Sequence, residues 1–312
     1  MRRRYSYRQK SYLHSATPKI QNLGWEPSVK TTVKERRINI GGLTTRYFTA
    51  GSDDLPLVLL HGDGESALDW SWVLPELATS YRVFAPDLPG AGDSAKPSIE
   101  YSPQFYAQFI ADFLKNLGIE RAVLVGNSLG GLVALRLALS HPQLVPALVL
   151  VDSSGLGKSV SPALSHLTVP LYGDVAINWC KTPLGAKQRA WSRAALLFAR
   201  PLQVPKVWLA EQERMALLPG FLEAALSSLR TQLDIFGQRD VLLDSLGQLQ
   251  MPTLVLWGTN DLVLPKDQAI AAVSRLEQGH LALIPECGHI PHVERPELFT
   301  QELSKFLASV DF

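Results

Sequence analysis

Ser128 lies in Leu124-Val-Gly-Asn-Ser-Leu-Gly-Gly131, between one apolar run (RAVLV, 121–125) and another (LVALRLALSHP, 132–142). A serine hydroxyl is a weak nucleophile until a neighbour removes its proton. A sharp strand-to-helix turn lifts such a side chain clear of a sheet, and glycines two residues to either side let the turn close. Gly126 and Gly130 stand at those positions, giving G-x-S-x-G. The free N–H groups of a helix opening at Leu129 would face any anion formed beside the serine. The bland alternative is a glycine-rich turn. The apolar run before and the helical run after favour the nucleophile.

A base must follow. Of seven histidines, His289 in ALIPECGHIPHVERP comes after the strand-like LALIP and before the last helical stretch, with Gly288 supplying a flexible backbone. His292 is expected only to support the same loop. An orienting acid is expected after the preceding strand, and LVLWGTNDLVLP places Asp261 three residues past Gly258. A carboxylate there would fix the imidazole tautomer and stabilise the imidazolium. Asp152, at the end of ALVLVD, is the rival acid, and the alternative role for Asp261 is a turn or helix cap. An oxyanion would need two N–H donors. Leu129 N–H is one candidate. The other lies in His61-Gly-Asp-Gly64, with Asp63 N–H preferred and Gly64 N–H second, the glycines allowing close approach of the backbone. Gly62, Gly64 and Asn127 are expected to contact substrate. The Asp63 carboxylate must point away from the oxyanion, be paired, or meet a polar part of the substrate. His61 is expected to be structural.

The elements that must hold these residues are legible in outline. RINIGGLTTRYFT (37–49) predicts a hairpin about Gly41-Gly42. Short, continuously apolar runs at 55–62, 81–87, 121–126 and 147–152 predict strands buried on both faces. SALDWSWVLPELATS (66–80), SPQFYAQFIADFLKNLG (102–118) and the run after Ser128 predict helices between them. Ser102 is a cap, followed by Pro103 at the first helical position. Alternating strands and helices predict a parallel sheet with right-handed crossovers. From 156 to 246 no clear strand is evident, and helical runs are punctuated by prolines. MPTLVLWG (251–258) and GHLALIPECGH (279–289) restore the strand pattern, and RPELFTQELSKFLASV closes the chain. The expected division is a basic, mobile arm at 1–30, a core of 31–155 with 247–312, and a helical cap at 156–246.

The chain has 312 residues, 46% of them hydrophobic and 19% charged, with net charge +1, which suits a deep core and no nucleic-acid partner. No run reaches the roughly 20 apolar residues that span a bilayer. Cys180 and Cys287 form no disulfide framework or metal-ligand spacing, so a reducing, cytoplasmic setting is expected. The arginine-rich start leaves organelle targeting open, as composition leaves homo-oligomerisation.

HGDG (61–64), DLPGAGDS (87–94), GNSLGG (126–131), WGTNDLVLP (257–265) and CGHIPHVERPELF (287–299) together resemble the α/β-hydrolase superfamily, in the right order across the core. The resemblance implies an α/β-hydrolase fold: a mostly parallel, eight-stranded sheet flanked by helices, with a variable helical cap. It implies a serine hydrolase acting on a small hydrophobic ester or ketone, without cofactor or metal. GNSLGG with CGH is similar to hydrolases that cleave carbon–carbon bonds in meta-ring-fission products, though Ile290 stands where that group usually has Trp. GNSLGG also resembles pheophytinase-like esterases. Ser128 argues against the haloalkane dehalogenase and epoxide hydrolase branches, which use aspartate. A non-catalytic, ligand-binding receptor of the same fold is the third reading. In the cap, Trp179, Trp191, Trp208, Leu196, Leu197, Phe198, Met215, Leu217, Leu218 and Phe221 are mostly expected to form its core. Arg189, Arg193 and Arg200 are candidates to anchor a substrate carboxylate, with a solvated helix face the simpler expectation. One of Trp70 and Trp72 is expected to wall the pocket.

Overall fold

Leu57 and Leu59 join one apolar cluster and Val58 and Leu60 another, so strand β3 (Pro56–Leu60) is buried on both faces. The same alternation holds at Val149 and Val151 against Leu148 and Leu150. A sheet covered on both sides needs no polar face, which is why its strands read as continuous apolar runs. The computed structural model describes residues 32–52 and 55–312. The arm assigned to 1–30 lies outside them.

The strands of the main sheet are β1 (Lys34–Ile40), β2 (Leu43–Ala50), β3, β4 (Arg82–Pro86), β5 (Val123–Asn127), β6 (Leu148–Val151), β9 (Thr253–Gly258) and β10 (Gly279–Ile284). Between β6 and β9 runs a two-strand hairpin, β7 (Leu233–Asp234) with β8 (Gly237–Gln238), in a segment whose sequence shows no strand pattern. The eight-stranded sheet has the order β1-β2-β4-β3-β5-β6-β9-β10. The β1–β2 and β2–β4 pairs are antiparallel and the rest parallel. The β1–β2 turn uses Gly41 and Gly42 at φ 56° and 89°, the left-handed backbone that glycine tolerates.

The helices are α1 (Leu74–Leu77), α2 (Pro103–Asn116), α3 (Leu129–Ser140), α4 (Pro162–Leu167), α5 (Tyr172–Cys180), α6 (Pro183–Leu197), α7 (Lys206–Ala216), α8 (Phe221–Gln232), α9 (Asp267–Val273), α10 (Pro291–Glu294) and α11 (Pro296–Ala308). Ser102 caps α2 by accepting from Phe105 N–H, and the helix stops before Gly118 at φ 66°. The helix expected over 66–80 is a 3₁₀ turn (Ala67–Trp72) followed only by α1, because Pro75 has no N–H to continue the first into the second. Helices α4 to α8 fall between β6 and β9 and are inserted into the sheet's sequence order.

The neighbouring strands β5, β6, β9 and β10 are parallel, so the chain leaves all four at one rim. Ser128 and Asp152 directly follow β5 and β6. Asp261 follows β9 and His289 follows β10, each within five residues. Topology alone therefore gathers residues separated by more than 160 positions, and the C-terminal rim of a parallel sheet is where such folds place their sites.

Candidate active site

Ser128 makes the strand-to-helix turn by itself, between β5 and α3, at φ 52° and ψ −116°. A left-handed backbone costs a residue bearing a Cβ about 1–3 kcal/mol and persists only where its surroundings over-determine it. Here they do. Ser128 N–H donates to Val151 O (3.0 Å), and Ser128 O accepts from Gly131 (3.0 Å), Leu132 (3.1 Å) and Ser154 (3.1 Å). A Cβ at Gly126 would lie 2.2 Å from Gly130 O, and one at Gly130 would lie 2.2 Å from Leu60 O. Both glycines are fixed by backbone that cannot yield.

His289 Nδ1 lies 2.8 Å from Asp261 Oδ2, and both side chains are almost wholly shielded from solvent. Asp261 Oδ1 accepts from Val263 N–H (2.7 Å) and Leu264 N–H (3.1 Å), so the carboxylate is fixed from two sides. The His289 backbone is pinned as well. Its N–H donates to Leu197 O (2.7 Å), and its O accepts from Asn127 Nδ2 (2.9 Å). His292 supports the loop from behind: it stacks on Trp70 with ring centroids 4.0 Å apart, and burial, then the charge of His289, push its pKa down to about 3. His292 is fully buried and does not line the cavity that holds Ser128, so its ring nitrogens cannot reach a proton there. Asp152 also reaches the cluster, though only Asp261 hydrogen-bonds the imidazole. The potential ligand atoms of Asp152, Asp261 and His289 lie within 4.8 Å of one another, the one such grouping among the described residues. A metal ion there would have to displace the 2.8 Å contact.

Ser128 and His289 line one cavity of about 50 Å³. No hydrogen bond joins them, and the other ring nitrogen, Nε2, has no protein partner among the described residues. Bonds of this kind are often long without substrate and tighten when it binds. Val160, Leu164, Leu196, Leu197 and Leu229 close the cavity from the inserted segment.

Residues 56–296 match the family model described as alpha/beta hydrolase fold. The chain belongs to the α/β-hydrolase family. A 2-hydroxy-6-oxo-6-(2'-aminophenyl)hexa-2,4-dienoic acid hydrolase of Metapseudomonas resinovorans is 32% identical, over 88% of this chain and 91% of its own. A 2-hydroxymuconate semialdehyde hydrolase of Pseudomonas sp. (strain CF600) is 31% identical, over 88% and 94%. Among solved structures, a membrane phospholipase A, described as a bacterial virulence factor, superposes with TM-score 0.74 at 28% identity, over 89% of this chain and 86% of that one.

Against this family background, the loop after β3 explains several residues. The amides of Asp63, Gly64 and Leu129 have no hydrogen-bond acceptor among the described residues. His61 is structural, as expected: its Nδ1 contacts Gly62 O (2.8 Å), its Nε2 accepts from Leu88 N–H (3.0 Å), and burial lowers its pKa. The accepting role of Nε2 assigns the proton to Nδ1. Asp87, in DLPGAGDS, anchors the same loop. Its Oδ1 accepts from Ala67 N–H (2.8 Å) and its Oδ2 pairs with the buried Arg46 (2.6 Å). Burial alone would raise the Asp87 pKa, and Arg46 holds it below the usual value instead.

Several expectations need correction. Asn127 does not line the cavity, because both its amide N–H bonds go to carbonyls, those of Val151 (3.1 Å) and His289. Gly62 and Asp63 line the cavity with Ser128, whereas Gly64 and Leu129 line a small adjoining one. Neither Trp70 nor Trp72 walls the pocket; Trp70 is held between His292 and Phe299. Arg189 and Arg193 are not a solvated face. Arg193 donates to Asp63 O (3.0 Å) and pairs with buried Glu65 (3.2 Å), and Arg189 reaches Gln212 Oε1 (3.0 Å) and Gly64 O (3.3 Å). Arg200 does face outward, paired with Glu286. Of the inserted apolar residues, Trp208, Phe198, Met215 and Phe221 are buried and Trp179, Trp191 and Leu217 are exposed. Sequence reading missed Glu65, whose signal was a lone acid directly after HGDG.

Proposed function

We propose that this chain is a serine hydrolase that cleaves esters of hydrophobic small molecules through an acyl-enzyme. The observation that carries the reading is the buried Asp261–His289 contact on the rim where Ser128 turns into the same cavity. His289 Nε2 takes the proton of Ser128, whose Oγ attacks the carbonyl carbon. N–H groups of Leu129 and Asp63 receive the oxyanion. His289 then gives the proton to the leaving alcohol, and water, activated by the same ring, releases the acid. Asp261 holds the imidazole and stabilises its charged form. Helices α4 to α8 act as a cap whose leucines select an apolar acyl or alkyl group. Replacement of Ser128 by Ala is expected to abolish turnover of p-nitrophenyl esters and labelling by a fluorophosphonate. Full turnover in that variant would overturn the reading. Labelling of Ser128 with ligand-dependent stabilisation and negligible turnover would favour the receptor reading instead.

The likeness to ring-fission dienoate hydrolases supports a second reading, carbon–carbon bond hydrolysis. Such a substrate brings a carboxylate. Arg193, the cation that lines the cavity with Ser128, already faces Glu65, so the pair offers no net positive charge to receive it. That favours a neutral ester. Esters of graded acyl length, assayed beside a ring-fission dienoate, separate the two: kcat/KM higher for the dienoate by tenfold or more would reverse the preference.

A further inference from the structure

Asp152 directly follows β6 with its backbone at φ 41°, a conformation that a residue bearing a Cβ rarely adopts. The carboxyl is fully buried. Its Oδ1 accepts from Gly258 N–H (2.9 Å), and its Oδ2 meets no donor among the described residues. The neighbour is Asp261, whose two oxygens already receive three N–H groups, those of Val263, Leu264 and His289. Two carboxyl groups this close, buried and with no cation between them, cannot both be ionised. The proton must rest on the one with fewer donors. We propose that Asp152 is a neutral acid at neutral pH, and that its Oδ2–H donates to Asp261, making Asp152 a positioning residue for the acid that orients His289.

Burial first, and the Asp261 charge second, push the Asp152 pKa well above the usual carboxylate range. The other groups facing it act the same way or are neutral. Glu294 on α10 adds negative charge, and burial pushes the thiol of Cys287 up, so it faces Asp152 as a neutral group. A fourth donor to Asp261 spreads its charge and so weakens its hold on the imidazolium. The Asp152 donor thereby sets how strongly Asp261 favours the imidazolium over the ring form that accepts the Ser128 proton.

The inference rests on the triad assigned above, and its test separates the two. In D152N an amide can accept from Gly258 with its oxygen and donate to Asp261 with its nitrogen. In D152A nothing donates. The acid limb of kcat/KM against pH, measured on a p-nitrophenyl ester, is expected to move up by about half a unit or more in D152A and to stay within about 0.2 unit in D152N. Infrared difference spectroscopy reads the proton without turnover: a protonated-carboxyl C=O band at pH 7 is expected in the wild type and absent in D152N. No such band, or an acid limb unmoved in D152A, overturns the proposal. An acid limb displaced equally in both variants does so too, because a packing defect would act on both. If the band is present but the chain hydrolyses no ester, the proton assignment stands and the proposed function fails.

Discussion

Arg193, on helix α6, and His61, directly after β3, hold two successive peptide planes of one loop. His61 Nδ1 contacts Gly62 O at 2.8 Å and Arg193 Nη2 donates to Asp63 O at 3.0 Å. A trans peptide is planar, so fixing a carbonyl fixes the N–H on its far side. His61 therefore orients the Asp63 N–H, and Arg193 the Gly64 N–H. The two variants H61N and R193A test which amide receives the oxyanion. With Asp63 as donor, H61N is expected to lower kcat by about 10²–10³, the usual cost of a lost donor, and R193A by no more than about tenfold. The reverse order would assign the role to Gly64. Thermal midpoints measured alongside show whether loss of the His61–Leu88 bond contributes.

Asp261 has two tasks, and substitution can divide them. Its Oδ2 faces His289 and its Oδ1 ties down Val263 and Leu264. In D261N the amide oxygen can still accept from the backbone, but no charge remains to hold the imidazole in its working tautomer. D261N is expected to lower kcat by about 10³–10⁴ with little change in Tm. D261A loses the backbone bonds too, and should cost about 1–3 kcal/mol of stability as well. The check is kcat and thermal midpoint on both variants. A D261N enzyme within tenfold of wild type would show that another group orients His289.

These contrasts explain what was legible in the chain. Ser128, Asp261 and His289 each follow an apolar strand, and a parallel sheet brings such strand ends to one rim, so order along the sequence implies proximity in space. The same logic preferred Asp261 for the imidazole and kept Asp152 as its rival, because the choice depends on how far each loop travels after its strand, and the 2.8 Å contact falls to Asp261. Arg193 and Glu65 were not legible as a pair. An arginine on an amphipathic helix looks solvated until the helix is laid over a cavity, and α6 lies there through long-range packing that no local pattern encodes. Asn127 misled for a related reason: its position beside Ser128 suggested substrate contact, but on a strand the side chain next to an outward serine must face the other way, toward Val151 and His289.

Asp63 gives a pH signature. Burial raises its carboxyl pKa to about 6, against the pull of the Ser228 hydroxyl, Arg193 and Arg189. Between the ordinary value of 3.8 and about 6, the folded chain keeps a proton that the unfolded chain has released. Folding stability contributed by this group is therefore full below about 4 and lost as pH rises through about 6. D63N has no such titration. It is expected to be more stable than wild type by about 3 kcal/mol at pH 7.5, with the difference shrinking toward pH 4. Denaturant unfolding at the two pH values measures it. Equal stabilisation at both would mean that Asp63 titrates normally.

The size of the cavity limits what can enter without movement. About 50 Å³ has room for a few water molecules or a very small acyl group, not for a long chain. Leu196 on α6 and Leu229 on α8 form part of its inserted wall. Leu229 is buried, and Leu196 packs from the edge of the core, so truncation of either should leave a void rather than a collapsed wall. L229A is expected to cost about 2–5 kcal/mol of stability, and L196A less because that side chain is only partly buried. Both should shift preference toward longer acyl chains. Each methylene newly housed is worth about 0.8 kcal/mol, or roughly fourfold in kcat/KM. The expected result is a fall in kcat/KM for acetate esters with a rise of about tenfold or more for hexanoate or octanoate relative to acetate. If the chain-length profile stays unchanged in both variants while their Tm falls, the acyl group does not enter between α6 and α8, and substrate must reach Ser128 by another wall of the cavity.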